Sequence, residues 1–346
     1  MVIYMARDGY YISYAIGTDL TEWDNAQAAL IVAETNAIDW FHSASIIHTK
    51  PKTVNINPMT SGHIPKRLKT SRSLGSISTT HYLQTAIFTY MVMGGSTAVA
   101  AANERDITKD TNEIPINTGF HLEKEGTTAN RRKDILGIVP QSLTITCNEK
   151  DWLAFQTYKA KFAFTGAGGD LLQPTALVQT THPPFTWGHY KHATASSSFL
   201  YNDGAINVEI IGFTITFGWT KAQFGTYDSN GYPNTGLYTP PFYAKVTLDC
   251  KYVDGAGTDI QAISDLDPAS YAGDLDLIIE FYEDATNYIE YTFDDMYVDP
   301  DSFEEVFQSE NDWFDGFTFD LVFRNETSSL AVKSIDALAD TYYTNP

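Results

Sequence analysis

LDLIIEF, residues 275–281, decides the fold class. Leu275, Leu277, Ile279 and Phe281 alternate with Asp276, Ile278 and Glu280. That is the period of a strand with one face on a core and the other toward water. Tyr288–Phe293 reads as its partner. The same alternation recurs at Phe317, Phe319, Leu321 and Phe323, and at Val246, Leu248, Cys250 and Tyr252. Ile206–Thr216 and Gln141–Asn148 repeat it, the second with Leu143, Ile145 and Cys147 on one face. Thr144, Thr146, Thr214, Thr216, Asp249, Glu290 and Asp320 fall between apolar neighbours.

Further strands are expected at 40–53, 76–80, 83–93, 114–122, 153–158 and 159–164, with an edge strand at 327–335. Residues 94–112 and Gly225–Pro241 read as loops, because Gly, Pro and small residues crowd there. Short helices are expected at Asp19–Ala33, at Asp265–Gly273 and at Pro300–Phe307, the last capped by Asp301 or Ser302. Few windows support a long helix, which excludes parallel α/β folds, helix–turn–helix domains and coiled coils. The chain is therefore mainly β, and its 346 residues suffice for one large β unit or two tandem β-domains.

Charge divides the chain. Residues 1–165 hold 16 Lys/Arg and 15 Asp/Glu, whereas residues 166–346 hold 6 and 28. The Gly166–Gly169 run marks the change. The expected layout is an arm or short helix at 1–39, a first β-domain with basic loops at 40–165, a second, acidic β-domain at 166–335, and a tail at 336–346. A net charge of −21 opposes stable binding of free nucleic acid by the acidic half. Two loops run the other way: Lys66, Arg67, Lys69 and Arg72, and Arg131, Arg132 and Lys133. Basic loops on one copy facing the acidic half of another would steer association.

Motifs for chemistry are sparse. His182, His189 and His192 lack the paired ligands of a zinc site, and DDMYVDPDSFEE lacks EF-hand spacing. GAGG at 166–169 lacks the Lys and Ser/Thr of a phosphate loop, and no GxSxG occurs. Cys147 and Cys250 read as buried apolar residues without a disulfide framework. The expectation is a chain with no catalytic, cofactor or metal site. No cationic leader opens it, and 85–102 is too polar for a membrane span.

Five segments occur in a telling order. VAETNAIDWFHSASIIHTKPKTVNINP (32–58) precedes the basic SGHIPKRLKTSRSLGSIS (61–78). RRKDILGIVPQSLTITCNEKDWLAFQTYKAKFAFTGA (131–167) follows, then WGHYKHATASSSFLYNDG (187–204) and FDGFTFDLVF (314–323). In this order the chain resembles the tail tube (major tail) proteins of tailed bacterial and archaeal viruses, over about residues 32–335. The resemblance implies tail-tube-like β-sandwich or barrel domains with short helices and long loops. It implies trimeric pseudo-hexameric or hexameric rings that stack into a tube, so localisation is to the virion after synthesis in the host cytoplasm. Partners would be further copies and tape-measure, tail-terminator and baseplate proteins, with non-specific transit of double-stranded DNA and no membrane. Lys66, Arg67, Lys69, Arg72, Arg131, Arg132 and Lys133 become assembly candidates. Asp249, Asp276, Glu280, Glu290, Asp294 and Asp320 become candidates for an acidic bore. Another virion ring protein, or a carbohydrate-binding or hydrolytic β-protein, are the rival readings.

Overall fold

A computed structural model gives the following elements. Before the first acidic segment run β1 (Tyr10–Gly17), β2 (Ala37–Asp39), β3 (Ser45–Thr49), β4 (Lys52–Ile56), β5 (Leu68–Arg72), β6 (Gly75–Tyr82), α1 (Ile87–Met93), β7 (Gly94–Ala98), β8 (Glu104–Lys109), β9 (Asn117–Lys124), β10 (Asn130–Cys147) and β11 (Phe155–Thr165). Then come the short β12 (Leu171–Gln173), β13 (Gln179–Thr180), β14 (Thr186–Trp187), β15 (Phe199–Tyr201) and β16 (Gly204–Ala205). The chain closes with β17 (Glu209–Phe224), β18 (Gly236–Lys251), β19 (Leu275–Tyr282), β20 (Tyr288–Val298), a 3-10 turn at Pro300–Ser302, β21 (Glu304–Val306), β22 (Gly316–Phe323) and β23 (Ser329–Ile335). The structure describes these elements and residues 83–86, 99, 110, 153–154, 283, 286–287, 299, 303, 327–328 and 336 beside them. The expected helices at 19–33 and 265–273, like Lys66 and Arg67, lie outside the described residues.

The chain is mainly β, and its main sheet is antiparallel. One run of pairings goes β3–β6–β11–β10–β17–β18–β22–β21. A second goes β19–β20–β23–β8–β7. The inward residues of the two runs meet. Phe213 sits 5.8 Å from Phe281 and Phe217 6.2 Å from Tyr291, centroid to centroid. Strand pairing and core both cross residue 165: β10 pairs with β17, and β8 with β23. The change in charge at 166 is therefore not a break in the sheet.

β20 joins the two runs. Its first part, Tyr288–Asp294, pairs with β23, and its last residues, Met296–Val298, pair with β22. Opposite β19 the register slips, so that Asp294 and Asp295 face one residue, Asp276. This is a β-bulge, and Asp295 has φ 54°. The extra residue shifts the alternation: Ile289, Tyr291 and Phe293 are buried before it, Met296 and Val298 after it. Without it, the two halves of the strand would aim opposite faces at the core. The Asp276 carboxylate accepts from Asp295 N–H at 3.2 Å, Ser328 Oγ donates to Asp295 O at 2.6 Å, and Thr327 donates to the Asp295 carboxylate.

Several expectations change. Residues 83–93 were expected as a strand, yet 87–93 form α1, buried on every side. IFTYMVM is apolar all round, so periodicity cannot separate a short buried helix from a strand. The helix ends at Gly94, φ 91°, whose N–H bonds to Tyr90 O. Its other end groups are also met: Trp219 Nε1–H donates to Val92 O at 2.8 Å and Asp110 N–H to Met93 O at 2.8 Å. Thr89 and Tyr291 hydroxyls bond at 2.7 Å. At the other end Ala86 N–H donates to Asp336 Oδ2 at 3.0 Å, and Arg105 binds Asp336 Oδ1 at 2.6 Å, both side chains buried.

The expected loop at 94–112 is a hairpin, β7–β8, in which small residues allow close approach: a Cβ on Gly95 would stand 2.8 Å from Thr108 O. The expected loop at 225–241 yields to β18 from Gly236 onward, its Pro240–Pro241 bond being cis. The expected helix at 300–307 is one 3-10 turn capped by Asp299, followed by β21. β23 is interior to its run, not an edge. The two strands expected at 153–158 and 159–164 are one, β11, and β10 begins eleven residues before the expected 141, while β19, β20 and β22 fall where alternation placed them; Cys147 and Cys250 are buried thiols outside any disulfide.

Candidate assembly surface

The outward face of the first run is built from hydroxyls. Because strand side chains alternate, burying Ile145, Tyr158, Ile215 and Val246 turns Thr144, Thr157, Thr216 and Lys245 to the other side. Register aligns them in rows. Thr80, Thr157, Thr144, Thr216 and Lys245 stand opposite one another on five consecutive strands. Thr80 and Thr157 hydroxyls lie 3.2 Å apart, as do those of Thr144 and Thr216. The next row carries Thr146, Thr214, Thr247 and Asp320, with Thr247 Oγ1 donating to Asp320 Oδ1 at 2.6 Å. A third sets Asp249 beside Thr318 and Glu304, with Thr318 donating to Asp249 at 2.9 Å.

Charge is graded across this face. Lys159 and Lys161 stand outward on β11. Asp249, Asp320 and Glu304 lie on β18, β22 and β21, with Lys245 bridging to Asp320. Four strand steps separate β11 from β22, roughly 19 Å at standard spacing. One flank is thus basic and the other acidic.

The second run has a different outer face. Asp276, Glu280, Glu290 and Asp294 lie on it, with Lys333, Glu104 and Asp106. Glu280 stands directly opposite Glu290 and is only 7% exposed. Tyr282 OH donates to the Glu280 carboxylate. Burial, a side-chain hydrogen bond to Glu280 and the Glu280 charge push the Glu290 carboxyl above its ordinary range, while Lys333 and Thr292 pull it down. Lys333 Nζ pairs with Glu104 at 3.3 Å, and that bond raises the ammonium pKa.

The six acidic candidates are therefore split between two outward faces, Asp249 and Asp320 on one and the other four on the opposite one. The basic candidates differ from expectation as well. Arg131, Arg132 and Lys133 were expected in a flexible loop, yet they open β10, paired with β9 and β12. Lys69 and Arg72 lie in β5, opposite Asn55 and Lys52 of β4. Sequence reasoning missed Lys159, Lys161 and Lys245. Their signal was the alternation with Ala160, Phe162 and Val246, but which strands stand side by side is not written in local pattern.

A cleft of about 1110 Å³ is lined by Pro240, Pro241, Phe242, Phe323 and Leu330 with Lys109 and Lys245. Among the described residues no group of three His, Cys, Asp or Glu is placed to hold a metal ion. No described helix is long and apolar enough to cross a membrane. No protein-family model matches the chain, and no curated protein matches it.

Proposed function

We propose that this chain is a structural subunit of a viral tail tube, assembling with further copies into stacked rings through which double-stranded DNA passes. The observation that carries this reading is the graded polar face of the first run. Lys245 already pairs with Asp320 within the chain, but Lys159 and Lys161 stand about four strands from Asp249 and Glu304, so a surface basic on one flank and acidic on the other complements a rotated copy of itself. Such a contact is head-to-tail and closes into a ring when the rotation permits. The rows of paired hydroxyls suit a wall over which a polyanion moves, since they offer few fixed cations for phosphate to bind. The tail-tube-like order of sequence segments supports the same reading. On it the chain acts without catalysis, cofactor or metal, its site is the virion tail, and tape-measure, terminator and baseplate proteins are its other partners.

Negative-stain electron microscopy of the purified chain over a concentration series tests this. Rings or stacked hollow tubes are expected, and end-on averages count the copies. Isolated rings that never stack would favour a terminator, baseplate or decoration protein. Monomers at every concentration, with binding in a glycan screen, would replace the proposal by a carbohydrate-binding reading.

A further inference from the structure

Carboxylates placed directly opposite each other on neighbouring strands repel when both are charged. Glu280 and Glu290 hold that position, and Glu280 is nearly excluded from water. A buried carboxylate facing a half-buried one is relieved by a proton, a metal or a cation between them. The neighbouring groups show which is supplied. From β19, Tyr282 donates to Glu280; from β20, Tyr288 flanks the pair and Thr292 Oγ1 lies 3.5 Å from Glu290 Oε1. From β23, Lys333 stands opposite Glu290, but its ammonium is engaged by Glu104 of β8, beside Asp106. Among the described residues, β14 and β15 pair with the other edge of β19, where Tyr201 stands in register with Leu275. Among the described residues, the cation that stands opposite the pair is thus shared with two further carboxylates.

We propose that Glu280 and Glu290 hold one proton between them and form an acid-stabilised latch between β19 and β20. Glu290 donates that proton to Glu280, whose other oxygen accepts from Tyr282. Glu290 is raised on folding, first by burial and then by Glu280. The folded chain therefore binds this proton more tightly than the unfolded chain. The stabilisation is complete below the ordinary glutamate range and is lost as pH rises through the raised value. The two charges then repel across the β19–β20 pair, at the edge where β14 and β15 attach. The latch belongs to one chain and stands whether or not copies assemble.

Infrared difference spectra of the full chain and Glu290→Gln test it, together with thermal melts from mildly acid to mildly alkaline pH. The wild type should keep a protonated-carboxyl band above the ordinary glutamate range that bleaches on further alkalinisation and is absent from Glu290→Gln. Its Tm should fall over the same interval, while the Glu290→Gln profile stays flatter. Absence of the band from the folded wild type above the ordinary glutamate range would overturn the latch, as would parallel Tm profiles. Should Glu290→Gln fail to fold, Glu280→Gln carries the same test. Removing the neighbouring charge leaves burial as the remaining cause, so the band should bleach at lower pH than in the wild type, and bleaching over an unchanged interval would overturn the proposal.

Discussion

The two outward faces are made from the same kinds of strand, yet they treat charge differently. On the first run, carboxylates are spaced by threonines: Asp249 and Asp320 each accept a hydroxyl proton and stay partly solvated. On the second run, Glu280 and Glu290 are set opposite each other and Glu280 is buried. Hydroxyls between charges give a face that tolerates many acids at little cost. Direct juxtaposition gives one that responds to protons. A count of acidic residues does not distinguish these outcomes; register does.

The comparison rests on a single core holding both faces, and the largest effects come from breaking it. Asp336 ties β23 to Arg105 of β8 and to the start of α1. Asp336→Ala strands a buried guanidinium and should cost about 3–5 kcal/mol in urea unfolding. Replacing the pair together, Arg105→Met with Asp336→Leu, should recover most of that loss. Phe281→Ala empties the contact with Phe213 and Tyr291. It should cost about 3–5 kcal/mol, with signals from both runs lost in one transition; separate transitions would divide the molecule into independent units.

Smaller changes sharpen the contrast. Tyr291→Phe leaves the Thr89 hydroxyl without its partner and should cost about 1–3 kcal/mol, read by chemical denaturation. Thr144→Val with Thr216→Val removes one hydroxyl pair from the polar face and should change stability by less than about 1 kcal/mol. The Lys159→Glu and Lys161→Glu double variant should shift monomer stability by no more than about 0.5 kcal/mol. By electron microscopy it should form no rings, and Asp249→Lys with Asp320→Lys should restore them. Unchanged assembly in the first variant would remove the graded face from the interface.

The strands that build the core were legible because each buries one face: Leu143 to Cys147, Phe213 to Phe217, and Leu277 to Phe281 announce themselves by alternation. α1 was not, since a helix buried on all sides has no polar face to set its period. Nor was the β7–β8 hairpin, whose small residues pack close to backbone and read as loop. At the candidate surface, Thr144, Thr146, Thr214, Thr216, Asp249 and Asp320 were visible as outward positions, whereas Thr80, Thr157, Thr247 and Thr318 were not singled out. That Thr144 faces Thr216, or Glu280 faces Glu290, depends on pairing between segments tens of residues apart. Arg131–Lys133 were misjudged because a run of charges resembles a loop when its partner strands are unknown.

β20 passes from one run into the other through the bulge at Asp295, so the two runs share a continuous backbone as well as packed side chains. Tension applied to β22 enters β20 through their ladder, runs along the β20 backbone, and leaves through the ladder to β23, without relying on side chains sliding past one another. In a pulling experiment the molecule should resist as a single beam, yielding at one rupture force rather than shedding one run of strands before the other.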